Sequence, residues 1–332
     1  MKNLKISALE LATICKNSNP TQAINRAVEG AQHIEKLGFE RIWFAEHHNM
    51  PHIASSATSV LIGHVAGKTN SIRVGSGGIM LPNHTPLVIA EQFGTLESIY
   101  PGRIDLGLGR APGTDQLTAM ALRRNNLNTS FYFKDDIQEL QQYFDENNVN
   151  AKVRAFPGEG LEIPIYILGS STDSAYLAAE LGLPYAFAAH FAPAMLKQAS
   201  EIYHEKFKAS ETLKQPYFII CVNIVAGETV EEAHHLSTSL FNMFAGILTN
   251  LRKPLSPPTQ KPIYDGIPEI EEAVQRMVNC TFIGTEQEIR KEVRAFSDEY
   301  NADEIMTTNY IFDNQKRLKA FNIIANALIK KH

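Results

Sequence analysis

The apolar run RIWFAEH, Arg41 to His47, ends on a pair of histidines, His47 and His48, with Glu46 just before them. Neighbours on an extended chain face opposite ways, so the two imidazoles are poor joint ligands of one ion. His52 adds spacings of one and five but no cysteine or carboxylate set, and no metal site is expected. An imidazole titrates near neutrality, which makes His47 a candidate general acid or base. The competing reading is a structural histidine held beside Glu46. Further on, GSSTDS opens a helix and supplies Ser170, Ser171 and Ser174. A helix start exposes unpaired N–H groups and the positive end of a dipole, which together suit an anion. Arg110 offers a guanidinium that can grip a phosphate through two bonds. Capping of the helix by Ser171 or Thr172 is the plainer alternative. Asp173 would repel a dianion and is expected to point outward. Last, VGSGGIMLP places Gly77 and Gly78 inside a strand. Glycine weakens strands unless a neighbouring chain or a flat ligand needs the space.

The elements that would carry these residues alternate. Strands are expected over Leu4–Leu9, Arg41–His47, IRVGSGGIML, RIDLGLG, Ile163–Leu168, Tyr185–Ala188, YFIICVNIVAG and Glu304–Ile311. Helical spacing of apolar residues marks Pro20–Leu37, closed by Gly38, and also Ser56–Lys68, Leu87–Tyr100, Asp135–Phe144, Asp173–Leu181, Val230–Leu248 and Lys316–Lys330. Apolar strands alternating with helices predict a parallel sheet buried on both faces, and eight such units favour closure into a barrel. Barrel enzymes work at the carboxyl ends of their strands, and there the polar and glycine clusters fall. The fold class expected is α/β: a (β/α)8 TIM barrel with insertions at its C-terminal face, one domain over residues 1–332. Arg110–Glu162 reads as a long, largely irregular stretch. Asn250–Gly266 holds four prolines and little periodicity. It is either a solvated loop or a lid over the barrel mouth. Trp43 and Phe44 read as core. The string Gly107, Gly109, Gly113 lacks the strand–turn–helix context and acidic partner of a dinucleotide loop.

Composition sets outer bounds. The 332 residues carry a formal charge of −5, without the basic excess that nucleic acid or an anionic membrane attracts, so neither is expected as a partner. Cys15, Cys221 and Cys280 are scattered and odd in number, which fits free thiols in a reducing compartment. No apolar run approaches the roughly 20 residues of a spanning helix, and the cytoplasm is the expected location.

Several motifs then combine in order and spacing: WFAEHHNMP, VGSGGIMLPNHTPLVIAEQFGTL, YPGRIDLGLGRAPGTD and ILGSSTDSAYLAAELGLPYAFAAHF. This set resembles the luciferase-like monooxygenase family, in particular its alkanal monooxygenase-like subgroup, densely from Gly38 to Arg124. The resemblance implies FMN as cofactor, its phosphate held by Arg110 and the serines Ser170, Ser171 and Ser174, and its ring packed on a non-proline cis peptide at Gly77–Gly78. It implies His47 as the catalytic histidine and a monooxygenase reaction of reduced flavin and oxygen on a small organic substrate. The reduced flavin would come from a separate NAD(P)H-dependent reductase, since no nicotinamide motif is visible; a homodimer is compatible. Two departures stand out. Gly109 replaces the reactive cysteine of bacterial luciferase, so light emission is not implied, and Thr13 stands where relatives carry proline. Deazaflavin F420-dependent hydride transfer and a non-catalytic flavin-binding protein are the rival readings.

Overall fold

The structure is a computed structural model and describes residues 4–123 and 132–330. Part of the expected irregular stretch, and Arg124 at the end of the dense resemblance, lie outside them. Nine strands occur among the described residues: β1 Lys5–Glu10, β2 Arg41–Phe44, β3 Arg73–Met80, β4 Ile104–Gly109, β5 Ile165–Gly169, β6 Tyr185–Ala188, β7 Phe218–Ala226, β8 Thr281–Gly284 and β9 Glu304–Thr308. All pairings are parallel. β1 through β7 follow one another, β7 pairs with β9, and β9 returns to β1 with Lys5 opposite Glu304. That circuit is an eight-stranded closed barrel with helices outside, as expected.

β8 was not anticipated. It pairs with Asn223–Ala226, the carboxyl half of β7, while Ile219–Asn223 pairs with β9. It therefore widens the C-terminal rim instead of joining the circuit. Four residues, three of them half-buried, carry too short a pattern to be read as a strand.

The strands are buried along nearly their whole length, and the core is continuous from the barrel interior to the inner helix faces. The first helix shows how local sequence sets an element. Asn19 accepts from the Gln22 N–H while the Gln22 side chain accepts from the Asn19 N–H, Pro20 sits in the first turn, and Gly38 ends the helix at φ 83°. Val230–Leu248 also matches its expected bounds, and Thr229 caps it. The helix expected from Ser56 begins at Thr58, and Ser55 before it donates to the Ala45 carbonyl. Helices Gln116–Arg123, Leu196–Lys206, Pro268–Met277 and Glu286–Glu299 had no counterpart in the sequence reading. Cys15, Cys221 and Cys280 are buried and free. Among the described residues, no helix is long and apolar enough to cross a membrane.

Candidate active site

The residues singled out from the sequence gather at the carboxyl ends of the strands. Glu46, two residues past β2, is the hub of one group. Its buried carboxylate accepts from His48 Nε2 at 2.8 Å, His84 Nε2 at 2.9 Å, the Met80 N–H at 3.0 Å and Asn83 Nδ2 at 3.3 Å. Burial alone would raise its pKa, but the His48 and His84 bonds, the His84 charge and the Met80 N–H outweigh it and hold Glu46 at about 2.

His47 and His48 do face opposite ways. His48 turns to Glu46, whereas His47 Nδ1 lies 3.1 Å from the Gly113 carbonyl. Glu46 therefore does not hold His47; the Gly113 carbonyl does. Gly113 sits at φ 65°, and a Cβ there would meet the Glu46 carbonyl at 2.7 Å, so the loop after β4 lies directly against the end of β2. Burial pushes the His47 pKa below its ordinary value, and Arg252 and His48 add to the lowering. A neutral ring donating from Nδ1 leaves Nε2 as the basic atom.

The Gly77–Gly78 peptide is cis, as the resemblance implied. It lies where the β3–β4 register slips between Ser76 and Ile79. A Cβ on Gly77 would meet Leu9 and Trp43 at 2.7 and 2.9 Å, and one on Gly78 the Gly107 carbonyl at 2.6 Å. Protein neighbours therefore already require these glycines, so their presence is not by itself a sign of a ligand.

At the end of β5, Ser171 occupies the cap position of helix Thr172–Leu181, but its side chain makes no capping bond. The capping alternative thus fails for Ser171, and Ser170 and Ser171 are half-buried at the helix start. Ser174 differs from them. Its hydroxyl donates to the Ser171 carbonyl at 2.7 Å and lies 2.9 Å from Tyr185 Oη, so it braces the turn from within. Asp173 does not simply point away: its Oδ2 is 3.4 Å from Arg110 Nη2. Arg110 therefore already sits across the helix start, paired with an exposed carboxylate.

Two polar residues at the mouth were missed. His190, two residues past β6, is buried with Nδ1 unpartnered; burial above all, then His47, pushes its pKa down to about 3. Asn309, the residue after β9, has both amide atoms buried and without partners. Their positions just beyond strand ends were the available signal.

A family model described as luciferase-like monooxygenase matches residues 9–301. The chain belongs to the luciferase-like monooxygenase family. A relative named luciferase-like monooxygenase from Escherichia coli (strain K12) is 47% identical over 322 residues, 97% of this chain and 96% of its own. Solved apo-MsnO8 is similar at TM-score 0.90 and 30% identity, covering 99% of this chain and 100% of its own. The oxygenating constituent of 3,6-diketocamphane monooxygenase from Pseudomonas putida, solved in complex with FMN, has TM-score 0.76 over 98% of this chain and 97% of its own. At 16% identity that likeness is one of fold. Within this luciferase-like monooxygenase, Gly109 lies against the end of the flexible Met80 side chain, whose sulfur would be 2.9 Å from an added Cβ. Thr13 makes an antiparallel bridge with Ile53, joining the loops after β1 and β2.

Proposed function

We propose that the chain is an FMN-dependent monooxygenase that inserts oxygen into a small organic substrate, with the flavin supplied in reduced form by a separate NAD(P)H-dependent reductase. The observation that carries the cofactor assignment is the uncapped start of helix Thr172–Leu181 opposite Arg110. Free N–H groups, the hydroxyls of Ser170 and Ser171 and a guanidinium form a donor set suited to a phosphate. Ser174 shapes that turn. The cis peptide at Gly77–Gly78 is the surface on which the flavin ring would rest, and reduced flavin would supply the electrons that activate oxygen.

The chain's own residues bind and shield. His47, fixed by the Gly113 carbonyl, presents Nε2 to take and return the proton that moves as substrate is oxygenated. Arg110→Ala tests the phosphate assignment. It should weaken FMN about 10- to 100-fold, the loss of a charge-assisted contact of about 1.5–3 kcal/mol, and leave riboflavin nearly unaffected. Equal losses for both would overturn it. His47→Ala should slow oxygenation with FMN affinity intact; loss of flavin binding together with barrel stability would make the residue structural. The absorbance of the bound cofactor separates FMN from F420. Oxygen uptake in the presence of a generic reductase separates an enzyme from a passive flavin carrier.

A further inference from the structure

The segment between helices Val230–Leu248 and Pro268–Met277 does not lie loose on the surface. Leu255 exchanges backbone bonds with the loop after β1, donating to the Ile14 carbonyl at 3.0 Å and accepting from the Lys16 N–H at 2.8 Å. Thr259 N–H donates to Thr238 Oγ1, and Ile263 N–H donates to Asn242 Oδ1, both on helix Val230–Leu248. Pinned at these points, the strap roofs a cleft of about 550 Å³, within the range of small-molecule sites.

The lining is chemically divided. Met243, Ile247, Tyr264 and Ile270 give it an apolar wall. Lys16, Arg252 and Lys253 bring three cations, and no aspartate or glutamate lines the cleft. None of the three has an ion-pair or side-chain hydrogen-bond partner among the described residues, whereas Lys261 on the same strap is paired with Asp265 at 2.8 Å. In a chain of net charge −5, three unpaired cations in one cleft stand against the general charge balance. Beside the cations lies His52, 5% exposed, whose Nδ1 is buried without a partner. Burial first, then Arg252 and His47, lower its pKa, so it is neutral near pH 7 and offers a hydrogen bond instead of a charge. His52 belongs to the loop after β2 that also carries His47; the His47 N–H donates to the Ser55 carbonyl at 3.0 Å, and the His52 carbonyl accepts from the Ile14 N–H at 2.9 Å, so the cleft borders the loop of the histidine assigned to proton transfer.

We propose that this cleft is the substrate site and that it takes a small amphiphilic carboxylate, its carboxylate met by Arg252 with Lys16, Lys253 and His52 around it, and its alkyl part lying along Met243, Ile247, Tyr264 and Ile270. The proposal rests on the monooxygenase reading for the word substrate, but binding can be measured without flavin or turnover. Sodium octanoate and 1-octanol, two probes of equal chain length, are titrated calorimetrically into flavin-free wild type, Arg252→Gln and Arg252→Lys. Arg252 is exposed and its side chain has no ion-pair or hydrogen-bond partner among the described residues, and thermal melting of each variant confirms the fold.

Octanoate should bind wild type about tenfold or more tighter than octanol, the range of a charge-assisted contact. Arg252→Gln should remove most of that preference and leave octanol unchanged, and Arg252→Lys should retain part of it. A second variant, Ile247→Asp, should weaken both probes. Equal affinities in wild type, no binding of either probe, or an Arg252→Gln protein that still prefers octanoate would each overturn the proposal. Failure of the flavin reading appears elsewhere, as indifference of FMN binding to Arg110→Ala.

Discussion

The two ends of the barrel treat buried polar groups in opposite ways. At the amino ends of the strands, Arg41 donates to Asp105 at 2.7 Å, Glu304 at 3.0 Å and Tyr166 Oη at 2.7 Å. Asp105 also receives Arg73 at 2.6 Å and the Trp43 indole at 3.0 Å, while Glu304 receives Tyr217 at 2.6 Å and the Ser7 hydroxyl. Every charge there has partners. At the carboxyl ends, His52, His190 and Asn309 keep buried atoms that no protein group satisfies. An unmet buried polar atom costs roughly 1–3 kcal/mol, so a fold keeps such atoms where a ligand or solvent completes them. One end is closed by its own partners, and the other keeps buried polar atoms that the protein leaves unmet.

The largest effect should come from breaking the closed end. Arg41→Leu takes the cation from buried Glu304 and leaves Asp105 with Arg73 alone, and should cost about 3–5 kcal/mol in denaturant unfolding. A loss below about 1 kcal/mol would mean that solvent reaches the network and that the contrast between the ends is false.

Glu46 is a place at the mouth built like the closed end, and its contribution has a definite pH signature. Its folded pKa, about 2, lies below the ordinary value of 4.5. The resulting stabilisation, about 3 kcal/mol, is therefore present above pH 4.5 and lost as pH falls through 2. Glu46→Gln should be less stable than wild type at pH 7, with the gap closing between pH 4.5 and 2. A gap independent of pH would assign the loss to packing instead of ionisation.

What could be read from the sequence divides along the same line. The eight barrel strands were legible because apolar runs buried on both faces need no knowledge of partners, and helix Pro20–Leu37 carried its own start and stop. The helix start with Ser170 and Ser171 was legible because such a start is a local feature, and Arg110 does lie across it. The Glu46 hub was not, since its partners His84 and Met80 lie 38 and 34 residues away and meet it only when β3 lies beside β2. The pairing of His47 with Gly113, 66 residues on, was hidden for the same reason. Arg110 and Asp173, 63 residues apart, show how such pairing can reverse a local inference: the carboxylate expected to avoid the anion site is the group now facing its arginine.

That pair gives a smaller prediction. Arg110 and Asp173 are 50% and 70% exposed, so solvent screens their attraction and its loss costs little. A phosphate at the helix start must displace Asp173 from Arg110 and tolerate its charge. Asp173→Asn should therefore tighten FMN about two- to fivefold, corresponding to an exposed pair of at most about 1 kcal/mol, and leave riboflavin unchanged. Weaker FMN binding in this variant would mean that Asp173 holds the arginine in a useful position.

The smallest expected change, in stability, tests the open end most directly. Asn309 follows β9 and keeps both amide atoms buried and unpartnered, while Thr308 beside it donates to Asn223 at 2.5 Å. Leucine has nearly the same volume and no polar atom. At the closed end a comparable exchange removes satisfied bonds, but at Asn309 it removes a desolvation cost with no bond to lose. Asn309→Leu should therefore leave the unliganded melting temperature unchanged, or raise stability by up to about 1 kcal/mol. If the open amide is kept for a guest, the same variant should show a smaller rise in melting temperature on adding FMN than wild type does. The two readouts separate the possibilities. Destabilisation by more than about 1 kcal/mol would mean that ordered water already satisfies the amide, and a full ligand-induced rise would mean that its unmet atoms play no part in binding FMN.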